Sequence, residues 1–291
     1  VDSARSIVIN DTEGEHFIYF NDSTGTLVET TTFDPVIIYE YAYVASLYWS
    51  SAEQELIVLG DERHGNIMDA ETHSHMHLSF GTQYVSGLAV TDDGDGTISS
   101  GSGVIRDEDI HLAIGAQTVF QKLYREGAGG PWKKKTLDGF PYTLGVNSRV
   151  EYNLDTAGTW SVEQAPNNSD YCNILVYALN DVRASEQVVC IMDDTLHGTL
   201  NSAKANIESE IASLLAGGLN FQEFAPIAAV TIRTNGNIEV VTDLRQPKSS
   251  TGGTTNNHES LGGLLGGEAA GHYHLTQSQL NILLGIESKE I

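Results

Sequence analysis

The sequence predicts a mainly β protein, built from antiparallel β-sandwich modules with one packed helix. Short runs rich in Val, Ile, Tyr and Phe recur up to about residue 245, and turn residues separate them. Only residues 201–216 carry apolar side chains at helical spacing. With 291 residues and a hydrophobic fraction of 40%, the chain is long and apolar enough to form real cores.

A first β module is expected at residues 1–103. Its candidate strands are the runs at residues 6–10, 16–20, 36–41, 45–49 and 55–59. The polar, glycine-rich stretch at residues 91–103 interrupts this pattern and predicts a boundary. Its aspartates (Asp92, Asp93 and Asp95) do not fit a calcium loop, because Thr91 and Ser102 would hold the principal carboxylate positions. We predict an acidic hairpin turn instead.

A second β module is expected at residues 104–245. Its candidate strands lie at residues 104–114, 118–124, 149–153, 160–163, 171–179, 187–192, 225–234 and 237–242. The helix at residues 201–216 has Asn201 or Ser202 as its predicted cap and ends at Gly217. The basic run from Lys133 to Lys135 is interpreted as a solvated turn.

The amino-acid composition changes after Pro247. Residues 246–257 are rich in Ser, Thr, Gly and Asn, a composition that predicts a flexible linker. In residues 258–291, leucines are scattered among glycines, and a short helix is predicted from the capping box of Thr276 and Gln279. Neither feature is expected to be stable in one chain alone, because so short a helix and so glycine-rich a backbone need neighbours.

Composition restricts the function. The net charge is -24, from 39 acidic and 15 basic residues, which disfavours extended contact with nucleic acid and with anionic membrane surfaces. No run of about 18 apolar residues predicts membrane insertion, and the start lacks the pattern of a signal peptide, so we expect a soluble, unexported chain. Cys172 and Cys190 fall in neighbouring apolar runs. A bridge is geometrically allowed there, but buried free thiols are favoured.

The C-terminal segment resembles a known family. The run from His258 to Gly267 (HESLGGLLGG), followed by Tyr273-His274-Leu275-Thr276, resembles a motif that recurs in bacteriophage tail-fibre and related appendage proteins, between the modules of trimeric fibres. Position 272 is His here, where the motif usually has Tyr. A second resemblance, to phage structural proteins with a globular β module, covers Gly60–Gly65, Met68-Asp69, Thr72-His73, His77-Leu78 and Ser86–Leu88.

The resemblance implies a structural subunit of a bacteriophage virion, a homotrimeric tail-fibre or appendage protein for host attachment or fibre assembly. The implied trimer interface comprises Leu261, Leu264, Leu265, His274 and Leu275. The implied location is the virion, assembled in the host cytoplasm, and the partners are other virion proteins and a host surface glycan or protein. The alternatives are a neck or collar fibre, a capsid decoration protein, or a carbohydrate-binding module that uses Trp49, Trp132 and Trp160.

Two histidine patterns are candidate metal sites. On a strand, His73, His75 and His77 would project from one face, and His64 or Asp69 would complete the ligands of a transition metal. Against this, same-face neighbours on a strand are about 7 Å apart, which is wide for chelation.

The second pattern lies in the C-terminal motif. His272 and His274 would supply six nitrogens on a threefold axis, the number that an octahedral transition-metal ion accepts. No nucleophile elbow, phosphate loop or zinc-protease helix occurs, and the cluster from Asp61 to His64 is interpreted as a structural ion pair. We therefore expect no enzymatic activity.

Overall fold

The structure is a computed structural model, and it describes residues 5–21, 25–64, 68–137, 139–181, 187–215, 217–219 and 221–245. The chain divides into two compact units, Val1–Lys248 and Ser249–Ile291. The second unit lies outside the described residues, as do the predicted linker at residues 246–257 and the trimerisation segment at residues 258–291.

The first unit is mainly β, as predicted. Its strands are β1 (Gly14–Asn21), β2 (Thr26–Thr30), β3 (Ala42–Ser50), β4 (Glu55–Asp61), β5 (Thr82–Gly87), β6 (Val90–Asp92), β7 (Ile98–Ser100), β8 (Gly103–Asp107), β9 (Ile110–Ile114), β10 (Phe120–Arg125), β11 (Gly127–Ala128), β12 (Trp132–Leu137), β13 (Glu151–Thr156), β14 (Thr159–Gln164), β15 (Tyr171–Leu179), β16 (Val188–Ile191), β17 (Phe224–Arg233) and β18 (Ile238–Asp243). Its helices are α1 (Val36–Glu40), α2 (Ala70–Phe80), α3 (Leu200–Leu215) and a 3-10 helix (Phe221–Glu223).

The strands form several sheets. A four-stranded sheet has the order β2-β1-β3-β4, and a six-stranded sheet has the order β12-β10-β16-β15-β17-β18. Smaller sheets have the orders β11-β14-β13, β5-β8-β9 and β6-β7. Among the described strands, pairing is antiparallel apart from β10 with β16, which run parallel. The predicted antiparallel character therefore needs this one correction.

The main core surrounds the middle of the six-stranded sheet. Strands β15 and β17 are buried along most of their length and are nearly continuous apolar runs, as expected of strands covered on both faces. The core combines Leu88 and Ile98 with Val176 and Val230. Strand β5 pairs with β8 across residue 103. The division at that residue, like the sandwich arrangement, stays a prediction.

Several local predictions were wrong, beginning with three segments predicted as strands or a turn. Residues 6–10 form no strand. Residues 36–40 form α1 rather than a strand, because Pro35 fixes a helical start and the Asp34 side chain accepts a hydrogen bond from the Val36 amide at 3.0 Å. Residues 133–135 lie in β12 rather than in a turn, where Lys133 Nζ forms ion pairs with Glu53 and Glu126.

Other local predictions are confirmed. Residues 93–97 form a turn between β6 and β7, in which the Asp92 and Asp95 carboxylates accept backbone hydrogen bonds. Helix α3 is present as predicted, but the predicted cap at Asn201 or Ser202 was wrong: the helix begins after Thr199, whose hydroxyl oxygen accepts a hydrogen bond from the Ser202 amide at 3.1 Å. Cys172 and Cys190 are buried free thiols. Within the described ranges, no helix has the length and apolar character that a membrane crossing requires.

Candidate metal centre

Helix α2 determines which histidines come together. It begins after Asp69, whose side chain accepts a hydrogen bond from the Thr72 amide at 3.0 Å, and it ends at Gly81, which has a positive φ of 51°. On a helix, residues four apart share a face. His73 and His77 therefore lie on the same side, whereas His75 is exposed. The predicted strand through these histidines was wrong, so His75 is not grouped with the other two.

His73 belongs to a cluster of four side chains from three parts of the chain. The members are Glu62 and His64 after β4, His73 on α2, and Glu108 in the turn between β8 and β9. His64 Nε2 lies 3.2 Å from Glu108 Oε2, and His73 Nε2 lies 3.3 Å from the same oxygen. His64 Nε2 also lies 3.6 Å from Glu62 Oε2.

These contacts do not have the geometry of hydrogen bonds. The side chains of Glu62 and Glu108 are 0% exposed, yet none of their carboxylate oxygens has a hydrogen-bond partner within the part of the chain that the structure describes. The same holds for Nε2 of His64 and Nε2 of His73. Buried polar atoms without partners are costly and rare in native proteins. Two ligand atoms about 2.0–2.1 Å from one tetrahedral ion lie roughly 3.3 Å from each other, which is the spacing found here.

A second group adjoins this cluster. His77 Nδ1 lies 3.5 Å from Glu62 Oε2 and 3.3 Å from Glu108 Oε1. Glu223, at the end of the 3-10 helix, joins His77 and Glu62 in a group whose potential ligand atoms all lie within 4.8 Å of one another. All three of its members are buried.

Neighbouring polar groups orient the cluster. His64 Nδ1 lies 2.5 Å from Asp109 Oδ1, a hydrogen bond that leaves Nε2 directed at Glu108. Such a carboxylate behind a histidine is the usual support of a metal-binding imidazole. Asn180 Nδ2 donates hydrogen bonds to the Asp107 carboxylate at 2.8 Å and to the Asp61 carbonyl at 2.9 Å, and so packs beside the cluster.

The electrostatics of the site favour positive charge beside its carboxylates. Burial raises the pKa of Asp107 to about 8, and it also raises the pKa values of Glu62 and Glu223. Burial acts to lower the pKa of His64, but the neighbouring carboxylates of Glu62, Asp109 and Glu108 outweigh it and raise that pKa to about 9. Crowded carboxylates in a dry site resist ionisation unless positive charge is present. Either a protonated His64 or a bound metal ion supplies that charge.

The backbone of Glu108 is strained. Its φ is +48°, in the left-handed region that non-glycine residues seldom adopt. Such strain costs of order 1–3 kcal/mol and persists where the surroundings enforce it, typically at functional sites. The strained turn directs the Glu108 carboxylate at both His64 and His77.

The sequence-predicted site residues have different outcomes. His73 and His77 come together, and His64 joins them, whereas Asp69 caps α2 and does not join the cluster. Asp61 and Arg63 form the predicted ion pair, with Arg63 donating from Nε at 2.6 Å. The remaining candidates lie outside the described residues: Leu261, Leu264, Leu265, His272, His274 and Leu275. The carboxylates Glu62, Glu108 and Glu223 were not predicted as ligands.

A third acidic group is satisfied by hydrogen bonds. Asp193, His197 and Glu210 also approach one another, but Glu210 accepts hydrogen bonds from Asn173 Nδ2 at 2.7 Å and from His197 at 2.7 Å. Asp193 accepts them from the amides of Asn173 and Thr195. Because its polar atoms have partners, we interpret this group as a structural network.

Two of the three tryptophans lie close together. Trp132 and Trp160 line a cavity of about 270 Å³ together with Asp155 and Asp194. The Arg125 guanidinium lies 4.0 Å from the centroid of the Trp160 ring. Trp49 lies apart from this cavity, on β3.

The donor set of imidazole and carboxylate suits zinc, iron, manganese and related divalent ions. These donor atoms lie close together, and within the described residues they have no hydrogen-bond partner. No protein-family model, curated protein or solved structure matches the chain.

Proposed function

We propose that this protein binds a divalent transition-metal ion through Glu62, His64, His73 and Glu108, and that the ion has a structural role. The observation that carries the proposal is the convergence of two buried carboxylates and two partly buried imidazoles whose facing atoms lack hydrogen-bond partners among the described residues. The ligands come from the end of β4, from α2 and from the β8–β9 turn. One ion would thus connect segments that are far apart in sequence.

The stabilisation follows from mass action. An ion that binds only the folded chain stabilises it by about 2.7 kcal/mol when its free concentration is 100 times its dissociation constant. The apoprotein should therefore unfold at a lower temperature than the zinc-loaded protein. A site of this kind needs no solvent-accessible coordination position, which agrees with the burial of both carboxylates.

Metal content and thermal unfolding test the proposal together. Protein stripped with a chelator and reloaded with Zn²⁺ should retain the ion after desalting and should unfold at a higher temperature. His73→Gln should reduce both the ion content and the rise in unfolding temperature. His75→Gln is the matched control, because His75 is exposed on the same helix, and it should preserve them. Retention of no ion by the wild-type protein would overturn the proposal.

The sequence also favours one kind of biological assembly for this protein. We propose that the chain is a structural subunit of a bacteriophage particle without catalytic activity, in which β-sandwich modules are joined by a linker to a trimerising segment. The support is the C-terminal motif from His258 to Thr276, which resembles that of trimeric phage fibres. The scattered leucines of that motif would find apolar partners on symmetry-related chains.

The virion proposal is tested separately from the metal. Mass measurement of the full chain in solution should give a trimer, and Leu264→Asp should weaken it by placing a charge in each copy of an apolar layer. A monomeric wild-type chain at micromolar concentration would contradict the trimer. Localisation in an electron-microscopy map of the particle distinguishes a tail fibre from a collar fibre or a capsid decoration.

Sugar binding is a second candidate function. The cavity beside Trp160 has an aromatic wall and two acidic side chains, Asp155 and Asp194, a combination that suits the apolar face and the hydroxyls of a sugar. A glycan array on the isolated protein tests it. Binding that persists in Trp160→Ala would exclude this cavity.

A further inference from the structure

We propose that the centre is dinuclear: a second divalent transition-metal ion binds to His77 and Glu223, and the carboxylates of Glu62 and Glu108 bridge the two ions. This inference rests on the proposed function, because it adds an ion to the same centre. It begins from the two ligand groups described above, which share Glu62.

The two oxygens of Glu108 face different histidines. Oε2 lies 3.2 Å from His64 Nε2 and 3.3 Å from His73 Nε2, whereas Oε1 lies 3.3 Å from His77 Nδ1. A single ion cannot accept all three imidazoles together with both oxygens of Glu108 at ordinary tetrahedral spacing. Two ions, one beside each oxygen, use every one of these contacts.

Glu62 lies between the same two sides. Its Oε2 is 3.6 Å from His64 Nε2 and 3.5 Å from His77 Nδ1, and neither of its oxygens has a hydrogen-bond partner in the described ranges. A carboxylate that approaches imidazoles on both sides is placed to bridge two ions. Bridged pairs of this kind have ions about 3.5–4 Å apart.

The charges of the site are compatible with two dications. Glu62 and Glu108 have fully buried side chains, Glu223 is 3% exposed, and Asp107 beside them is 1% exposed. These four carboxylates, when ionised, carry four negative charges, of which a single dication neutralises two, and buried charge without compensation is unfavourable. A second dication at Glu223 neutralises the other two.

The fold makes room for Glu223 at this place. Gly60, in β4, lies against its side chain, and a Cβ atom at position 60 would come within 2.5 Å of the Glu223 carboxyl carbon. Asn180 Nδ2 lies 3.4 Å from Glu223 Oε2, which fixes one edge of the carboxylate. The second ligand group therefore has its own positioning contacts.

Ion stoichiometry tests the second site. After chelation, reloading with Zn²⁺ and desalting, the wild-type chain should retain two ions. His77→Phe, which fits the ring contacts with Phe33 and Tyr43, should retain one ion, and Glu223→Gln should also retain one. The exposed residues of α2 provide controls: His75→Gln and Glu71→Gln should retain two.

Electron paramagnetic resonance of the Mn²⁺-loaded full chain tests the bridge. Wild-type protein should give the spectrum of an exchange-coupled pair, and His77→Phe should give that of an isolated ion. One retained ion in the wild type, unchanged by His77→Phe, would overturn the dinuclear centre and leave the proposed function intact. Two retained ions without coupling would overturn the bridge. Retention of no ion would overturn both proposals.

Discussion

Gly60 lies directly against the side chain of Glu223: a Cβ atom at position 60 would come within 2.3 Å of Glu223 Cγ. Glycine is required here because the Glu223 side chain occupies the volume that a Cβ atom of residue 60 would fill. The backbone conformation of Gly60 does not itself require glycine. The absence of one methyl group thus allows the Glu223 carboxylate to reach the metal centre.

The first prediction concerns this contact. Gly60→Ala should lower the free energy of unfolding by about 1–3 kcal/mol, because overpacking of a buried site forces neighbouring atoms to move. Gly115→Ala, at a position where a Cβ atom meets nothing within 4 Å, should have little effect. Denaturant unfolding measures both. The double variant Gly60→Ala/Glu223→Ala should be less destabilised than the two single changes together, because the second change removes the clash. Additive losses would contradict the contact.

The second prediction concerns the support of His64. Asp109→Asn removes the charge that holds the ring through the 2.5 Å contact between His64 Nδ1 and Asp109 Oδ1. The affinity for Zn²⁺ should fall 10–100-fold, the usual effect of losing such a partner. Competition with a chromophoric chelator measures it. Asp93→Asn, in the exposed β6–β7 turn, is the matched control, and an equal fall there would show that the effect is not local.

The sequence predicted the strands better than the short helices. Residues 171–179 form β15 as predicted, because a long apolar run bounded by polar residues has few alternatives in a β protein. Residues 36–40 are even richer in β-branched side chains, but Asp34 and Pro35 start a helix there. Composition alone cannot separate these two cases, whereas the residues before the run can.

The centre was predicted only in part. The sequence identifies His64, His73 and His77 as candidates, but the spacing of His73 and His77 implies one helix face only once α2 is recognised. Asp69 and Gly81, which bound that helix, carried the missing signal. Glu108 and Glu223 have no local signal, because strand pairing and packing bring them to the site.

The third prediction concerns pH and Lys122. This residue is 2% exposed, its Nζ donates a hydrogen bond to Thr143 Oγ1 at 2.6 Å, and burial lowers its pKa from 10.5 to about 8. Below pH 8 the buried ammonium lowers the free energy of unfolding by its full amount. This penalty disappears as the pH rises to about 10.5, the pKa of the lysine in the unfolded chain. Lys122→Met should therefore raise the free energy of unfolding by up to about 3 kcal/mol at pH 7.

The advantage of Lys122→Met over the wild-type protein should shrink between pH 8 and pH 10.5. Chemical denaturation at a series of pH values measures it. Lys204→Met, at an exposed position of α3, should give no pH-dependent difference. A constant advantage across this pH range would contradict the prediction, because the gain would then come from packing.

The fourth prediction concerns the thiols. Cys172 and Cys190 are 0% exposed, and burial raises both pKa values. Since the thiolate is the reactive form, neither should react with an aromatic disulfide reagent in the native protein. Both should react once the chain is unfolded in guanidinium. Rapid native labelling at either position would contradict the packing of β15 or β16.

The last prediction concerns Asn173, the centre of a buried polar network. Its Nδ2 donates to Glu210 Oε2 at 2.7 Å and to the Ala203 carbonyl at 2.9 Å, and its Oδ1 accepts from the Thr231 hydroxyl at 2.7 Å. Asn173→Ala removes the hydrogen-bond partner of the Glu210 carboxylate, the Ala203 carbonyl and the Thr231 hydroxyl. We expect that water does not take the place of the lost amide in this buried site. Each buried group left unsatisfied costs about 1–3 kcal/mol. We expect a total loss of at least about 3 kcal/mol, measured by denaturant unfolding.

Asn10→Ala is the matched control, because Asn10 is exposed and its Nδ2 donates a single hydrogen bond to Glu29. It should change the free energy of unfolding by less than about 0.5 kcal/mol. Asn173→Asp should be at least as damaging as Asn173→Ala, because a third carboxyl group would then face Asp193 and Glu210, whose pKa values burial already raises. A mild effect of either substitution would mean that water enters the network, and α3 would then pack on the sheet less tightly than the buried contacts of Ala203 indicate.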